Sequence, residues 1–308
     1  MADIKPLELS DPASGTVDVR NGVTLTYFLE QFVFECSDAL TAVFDLFVAG
    51  TRPGMLQWAV VNATSEQWRP VDEAVIKRMR DSLAPVGARK RKFTAFRVND
   101  YGDEAPQYGF TLADRDKDKD QPDSLTLVQM TFPPVVVDEA HVENLCGFID
   151  QCTALLKPVS GYCAPSLLPS ESRQSVALAK IAGIALRHPG YDVAVNDLTQ
   201  LDIGHKVRGA RWITLLGPAL QERLGGIEQV RRALPKEIEV RDVAGTATIR
   251  AGKTPELGDR NQQVDTPLLR DVARLLEPIT LFGEVDMLSN FANFDDNLLR
   301  RWERRFLD

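Results

Sequence analysis

An α+β fold, with antiparallel and mixed sheets flanked by amphipathic helices in two packed lobes, is the class this 308-residue sequence predicts. Three observations carry the prediction. Apolar residues recur at three- and four-residue steps in several separate segments, such as Leu40, Val43, Phe44 and Phe47, which puts one apolar stripe on each helix. The strand-like runs Lys92 to Val98, Gln107 to Ala113 and Ser124 to Phe132 follow one another through polar connections, and such an antiparallel meander needs no crossover helix. Strand and helix patterns then alternate along the second half, a mixture that packs as segregated layers.

Residues 1–18 are expected to form a flexible N-terminal segment. Val23, Leu25, Tyr27 and Leu29 alternate with smaller or polar neighbours, so Asn21 to Glu30 reads as a strand. The stripe of Cys36, Leu40, Val43, Phe44 and Phe47 follows as a helix that Gly50 closes. Leu56 to Val61 is a short strand, and Val71 to Leu83 is a second helix ending before Pro85. After the meander, Pro133 and Pro134 stop the last strand or confine it to an edge. Asp138 is the expected N-cap of a helix that turns Val142, Leu145, Ile149, Cys152 and Leu156 to a core. The Pro/Ser-rich stretch Pro165 to Ser170 reads as a connection, which sets the lobes at 19–168 and 169–308.

In the second lobe a helix from Arg173 to Leu186 ends at His188-Pro189-Gly190, and Asp192 to Val207 reads as irregular. A strand at Arg211 to Leu215 comes next, with short helices around Leu220 and Val230, strands at Glu237 to Asp242 and Thr246 to Arg250, and a helix over Pro267 to Leu276. In the last helix Asp295 and Asp296 complement the N-terminal end of the helix dipole, and Arg300, Arg301, Arg304 and Arg305 the other. Leu298, Leu299, Trp302 and Phe306 share one face, and burying Trp302 and Phe306 is worth roughly 2 to 3 kcal/mol apiece, so this helix is expected to dock.

Composition bounds the function. The 36 Lys and Arg against 44 Asp and Glu give a net charge of -8, which argues against nucleic acid or an anionic membrane as the main partner and favours a basic one. The start Met1-Ala2-Asp3-Ile4-Lys5-Pro6 has neither the basic residues nor the apolar run of a secretory signal, and no stretch approaches about 18 uninterrupted apolar residues. A cytoplasmic protein is expected. Cys36, Cys146, Cys152 and Cys163 lack the two-residue spacing of metal or redox pairs and are expected to be reduced, buried thiols.

Sites of chemistry are conspicuous by near misses. Gly252-Lys253-Thr254 suggests a phosphate loop, but Ala247 stands where that loop needs its first glycine, and Pro255 keeps Thr254 from starting a helix. Asp114, Asp116, Asp118 and Asp120 alternate with cations, and a calcium loop counted from Asp114 would need Gly and Glu where Lys119 and Leu125 stand. A solvated hairpin tip is the reading preferred. His141, His188 and His205 have no zinc-ligand spacing, and Asp202 with His205 has no nucleophile signature beside it. A restriction-like nuclease would place Asp or Glu two positions before Lys on a strand, whereas Asp3-Ile4-Lys5 is terminal and Glu239-Val240-Arg241 carries Arg. Arg89 to Lys92, near Phe93 and Phe96, reads as a solvated strand edge and not as a nucleic-acid strip.

A larger pattern remains. Ala251-Gly252, two residues, Pro255, then Gly258-Asp259 and Asn261 follow a strand and precede a Leu/Arg-rich helix. His188-Pro189-Gly190, Arg211-Trp212-Ile213-Thr214 before Leu224-Gly225-Gly226, and Arg301-Trp302-Glu303-Arg304-Arg305-Phe306 accompany it. In this order the segments resemble the TsiV-type immunity proteins of bacterial type VI secretion, which neutralise DNA-cleaving effectors of the VRR-NUC, restriction-endonuclease-like kind. The resemblance implies a non-enzymatic protein without metal or cofactor that occludes the functional surface of a cognate nuclease. Candidate partner-binding residues are Asp114, Asp116, Asp118 and Asp120, facing the DNA-binding surface of the nuclease, with Trp68 as an aromatic anchor. The alternative from sequence is that the chain is itself a metal-dependent nuclease or another orphan hydrolase.

Overall fold

A computed structural model of the chain describes residues 4–61, 67–85, 93–115, 121–194, 199–283 and 295–308. The first half runs β1 (Glu8–Ser10), β2 (Val17–Leu29), α1 (Ser37–Gly50), β3 (Trp58–Val60), β4 (Arg69–Pro70), α2 (Glu73–Leu83), β5 (Ala95–Asn99), β6 (Gly109–Ala113), β7 (Thr126–Phe132) and α3 (Val142–Leu156). The second runs β8 (Ser160–Pro169), α4 (Gln174–Arg187), β9 (Asp192–Val193), α5 (Thr199–Asp202), β10 (Ile213–Leu216), α6 (Pro218–Arg223), α7 (Ile227–Ala233), β11 (Ile238–Val243), β12 (Thr246–Ala251), α8 (Pro267–Leu276) and α9 (Asp296–Glu303). The fold is α+β.

All twelve of these strands join one sheet, ordered β11-β12-β10-β8-β2-β7-β6-β5-β3-β4, with β1 beside β2 and β9 beside β8. Every pairing is antiparallel except the short parallel contact of β8 with β9. The sheet therefore runs through both stretches taken as lobes from sequence, and residue 168 lies inside a central strand. Within residues 1–18, Glu8 to Ser10 pair with β2.

One expectation is corrected here: Pro165 to Ser170 is not a connection, because Pro165 to Pro169 continue β8 against β2. The register explains how the prolines are tolerated. Ser170 N–H donates to Asp18 O at 2.8 Å, so even-numbered residues of β8 bond to β2 and odd-numbered ones face the other way. There β10 reaches only to Cys163 and β9 pairs only at Ser166 and Leu167, so neither Pro165 nor Pro169 is a paired position on that side.

Strand parity divides the sheet faces. On the first, Val23, Leu25, Tyr27 and Leu29 meet the aromatic residues of α1, β5 and β6 in one core. Phe44 stands edge-on to Phe96 and Phe110 at 5.4 and 5.1 Å between ring centres, a packing worth about 0.5–1.5 kcal/mol per pair beyond burial. Asp72 caps α2, its side chain accepting from Val75 N–H at 2.7 Å. Asp138 caps the turn ahead of α3 instead of the helix itself, accepting from Ala140 and His141 N–H at 3.1 and 3.0 Å. On the second face, α6, α7 and α8 cover β10 and β12 through Leu216, Leu220, Val230, Ile249 and Leu269. Phe28, Leu127, Tyr162 and Ile203 continue that cover toward β7. Beyond them the face turns polar: Arg97, Thr111, Gln129 and Thr26 lie in register across β5, β6, β7 and β2.

The terminal helix starts at the N-cap Asp295, whose carboxylate accepts from Leu298 N–H at 2.8 Å. Trp302 joins Val19 and Leu178 in one buried cluster, and Phe306 joins Leu269 in another.

The four cysteines are free. Burial pushes the thiols of Cys36 and Cys152 up to about 12 and Cys146 to about 11, and lifts Cys163 well above its usual value. The thiolate is the reactive form, so a chromogenic disulfide reagent at pH 8 is expected to label the native chain slowly and all four thiols promptly in denaturant. Prompt labelling of native protein would contradict this burial.

Candidate partner-binding site

The segments that spell out the sequence pattern lock to one another. Gly190 at the end of α4 presses on the backbone of Glu256 and Leu257, and its N–H donates to Leu257 O at 2.8 Å. His188 Nδ1 lies 2.7 Å from Gly258 O, and Arg187 Nη2 donates to Asp259 at 2.6 Å. The Arg187 hydrogen bonds hold the Asp259 carboxyl down at about 2. Trp212 Nε1 donates to Gly252 O at 3.2 Å, and Arg305 Nε donates to Pro189 O at 2.8 Å. What looked like a failed phosphate loop is one half of a clasp that ties α4, β10, β12 and α9 together. Arg211, on the strand side of this clasp, pairs with the fully buried Asp192 at 2.8 Å.

Of the acid and base groups weighed for chemistry, those of β11 are engaged in ion pairs. Glu239 and Arg241 of β11 pair with each other at 3.3 Å, and Arg241 also pairs with Asp150 at 2.5 Å. His205 is exposed, and its carbonyl receives Arg223 Nη1 at 2.5 Å. Among the described residues no group of three or more His, Cys, Asp or Glu could hold a metal ion.

Of the residues singled out for a partner, Asp116, Asp118 and Asp120 lie outside the described residues. Asp114 is not at the solvated tip that the alternating charges suggested. It is fully buried, and its Oδ1 accepts from Val33 N–H at 3.0 Å, so it pins the segment after β2 to the end of β6. Trp68 is half-buried just before β4.

Around Trp68 the structure brings together residues that sequence periodicity passed over. The turn between β5 and β6 holds Tyr101, Gly102, Asp103 and Glu104, and with Trp58 and Trp68 it lines an open depression of about 540 Å³. The turn is held from several sides. Asp100 accepts from Gln107 and Tyr108 N–H at 3.0 and 3.1 Å, and burial raises its carboxyl above the usual range against those bonds. Ser170 Oγ and Ser172 Oγ donate to Asp103 O at 2.6 and 2.8 Å, and Ala105 N–H donates to Val17 O at 2.9 Å. Arg20 pairs with Glu104 and Glu8 at 2.9 Å each, its guanidinium 4.0 Å from the Tyr101 ring centre. Gly102 lets the chain lie on the Trp58 indole, where an added Cβ would come within 3.1 Å of the ring. The result is a pre-set patch of three aromatic rings with the exposed Asp103 at its rim. Aromatic anchors with acidic company suit a basic protein surface. The signal available in the sequence was Tyr101 amid Asp100, Asp103 and Glu104, but its joining to Trp58 and Trp68 depends on long-range pairing.

Comparison with known proteins follows the same line. The family model described as TsiV, type VI immunity for VRR-NUC, matches residues 39–306. A Pseudomonas aeruginosa structure, T6SS protein PA0821, has the same fold, with a TM-score of 0.77 and 15% identity over 97% of this chain and 87% of that one. No curated protein matches.

Proposed function

The chain belongs to the TsiV family, type VI immunity for VRR-NUC, and from that premise we propose that it binds a cognate nuclease effector and blocks it by covering its functional surface. The observation that carries this reading is the family match from residue 39 to 306. The net charge of -8 and the aromatic patch rimmed by Asp103 support it. A specific complex of this kind buries about 1,200–2,000 Å². In it Trp68 and Tyr101 act as anchors, with Asp103 and the sequence candidates Asp116, Asp118 and Asp120 steering the approach of a Lys/Arg-rich DNA-binding surface. The chain makes and breaks no bond of its own, and it acts in the cytoplasm, where a DNA-cutting effector meets the chromosome.

The test is plasmid cleavage by the purified effector with Mg²⁺. One equivalent of this protein is expected to stop the reaction, and undiminished cleavage would end the proposal. Cleavage by this chain alone would point to the nuclease reading. Trp68→Ala is expected to weaken the complex about tenfold or more, since a central aromatic anchor is worth on the order of 2 kcal/mol. Asp103→Lys is expected to slow association and flatten its salt dependence. Both are read by surface-immobilised kinetics.

A further inference from the structure

A second, narrower recess adjoins the patch across Trp68. It runs over the polar part of the sheet's second face, with Asn99, Thr111, Gln129 and Thr131 as its floor and Trp68, Leu168 and Pro169 as walls. Gly109 sits opposite Thr131 in the register and contributes no side chain, and a Cβ there would come within 2.8 Å of Thr131 Oγ1. Arg97 and Glu171 pair at 2.6 Å along its lining, each about 40% exposed. Two atoms on the floor are unusual. Asn99 Oδ1 and Thr131 Oγ1 are buried without a hydrogen-bond partner, on residues only 5% and 6% exposed. Buried polar atoms are nearly always satisfied, and leaving one unpaired is costly. Both belong to residues that line a recess open to the surface.

We infer that this recess receives one basic side chain, an arginine above all, from the bound nuclease. The inference rests on the proposal that the partner is a nuclease effector. A carbonyl oxygen such as Asn99 Oδ1 accepts hydrogen bonds and cannot donate them, so its missing partner is an N–H or O–H group. The recess is small, about 60 Å³, with room for a few waters or one side-chain head group. The Trp68 ring offers a face for a cation. Glu171 can share its carboxylate between Arg97 and an entering guanidinium, whose planar donors suit several acceptors at once. A basic DNA-binding surface is where such side chains collect.

The test has two arms, both on the full chain. In the first, N-acetylarginine amide is titrated while the side-chain amide resonances of Asn99 and Gln129 are followed by NMR, with N-acetylnorleucine amide as the control. Saturable shifts with the arginine probe alone are expected, and no shift, or equal shifts with both probes, overturns the inference. In the second, the effector affinity of Thr131→Val, Asn99→Leu and Asn99→Asp is compared with wild type. Thr131→Val keeps the shape and removes a hydroxyl that has no internal partner, so its melting temperature should not fall, while effector binding weakens roughly fivefold, the worth of one neutral hydrogen bond. Asn99→Leu should weaken binding tenfold or more. Asn99→Asp, which keeps an acceptor and adds charge, should bind at least as well as wild type. Thr131→Val and Asn99→Leu both within twofold of wild type, or Asn99→Asp as weak as Asn99→Leu, overturns the inference. A wild-type chain that binds no effector instead overturns the immunity reading, and the arginine titration then decides the recess by itself.

Discussion

Gly190→Ala is expected to lower the stability of the chain by about 3 kcal/mol, the upper end of what overpacking costs. The added Cβ would lie 2.0 Å from Glu256 O and 2.6 Å from Leu257 Cα. Both are backbone atoms, so no flexible side chain can swing away to make room. The 2.8 Å bond from Gly190 N–H to Leu257 O must lengthen, and the contacts of His188 with Gly258 and Arg187 with Asp259 move with it. Gly147→Ala provides the contrast. Gly147 lies inside α3 with nothing within 4 Å of the added Cβ, and removing a helical glycine is expected to raise stability by roughly 0.5–1 kcal/mol. Urea midpoints of the two variants should therefore move in opposite directions. A Gly190→Ala chain as stable as wild type would mean that the clasp is not closed as described.

Asp192→Ala is expected to cost about 3–5 kcal/mol, as does breaking a buried ion pair from one side. Arg211 and Asp192 are 5% and 0% exposed at the side chain and 2.8 Å apart, so the orphaned guanidinium has little water to turn to. Arg208 and Arg305 also lie within electrostatic reach of Asp192. Replacing both members of the pair by apolar residues should for that reason recover only part of the loss. The pair also fixes an acid response. Burial pushes the Asp192 carboxyl up, but Arg211 and Arg208 outweigh it and hold it below the usual range. A depressed carboxyl contributes fully above its unfolded value, near 4, and loses that contribution as pH falls through its folded value. Stability should thus decline below about pH 4, and Asp192→Asn should decline less steeply over the same window. Identical acid profiles for the two chains would remove Asp192 from the account.

Local chemistry wrote much of the fold into the sequence. Pro267 to Leu276 begins with a proline suited to a first helical turn and carries a clean apolar stripe, and α8 occupies that span. Asp295 was expected at the start of the last helix and caps it. What escaped was set at long range. The prolines of β8 are harmless because β10 stops short of them and β9 pairs between them, facts about neighbouring strands. Asp114 looks like one more member of a charged run, and its burial depends on a Val33 N–H 81 residues away. The aromatic patch was half legible: Trp68 stood out alone, while Trp58 and Tyr101 join it through the β3–β5 pairing and the turn that follows β5. The recess left no trace in periodicity, since what marks it is two hydrogen bonds that Asn99 Oδ1 and Thr131 Oγ1 do not make.

Val19 and Trp302 meet in the same dry cluster, although nearly the whole chain separates them. A ribosome making this protein must pass residue 302 before that cluster can seal, so a half-made chain holds its central strands without the helix that shelters them. Pairings between distant segments also form slowly. The packing around β2 is therefore completed only after residue 302 has been made, and the chain gains its full stability late in synthesis.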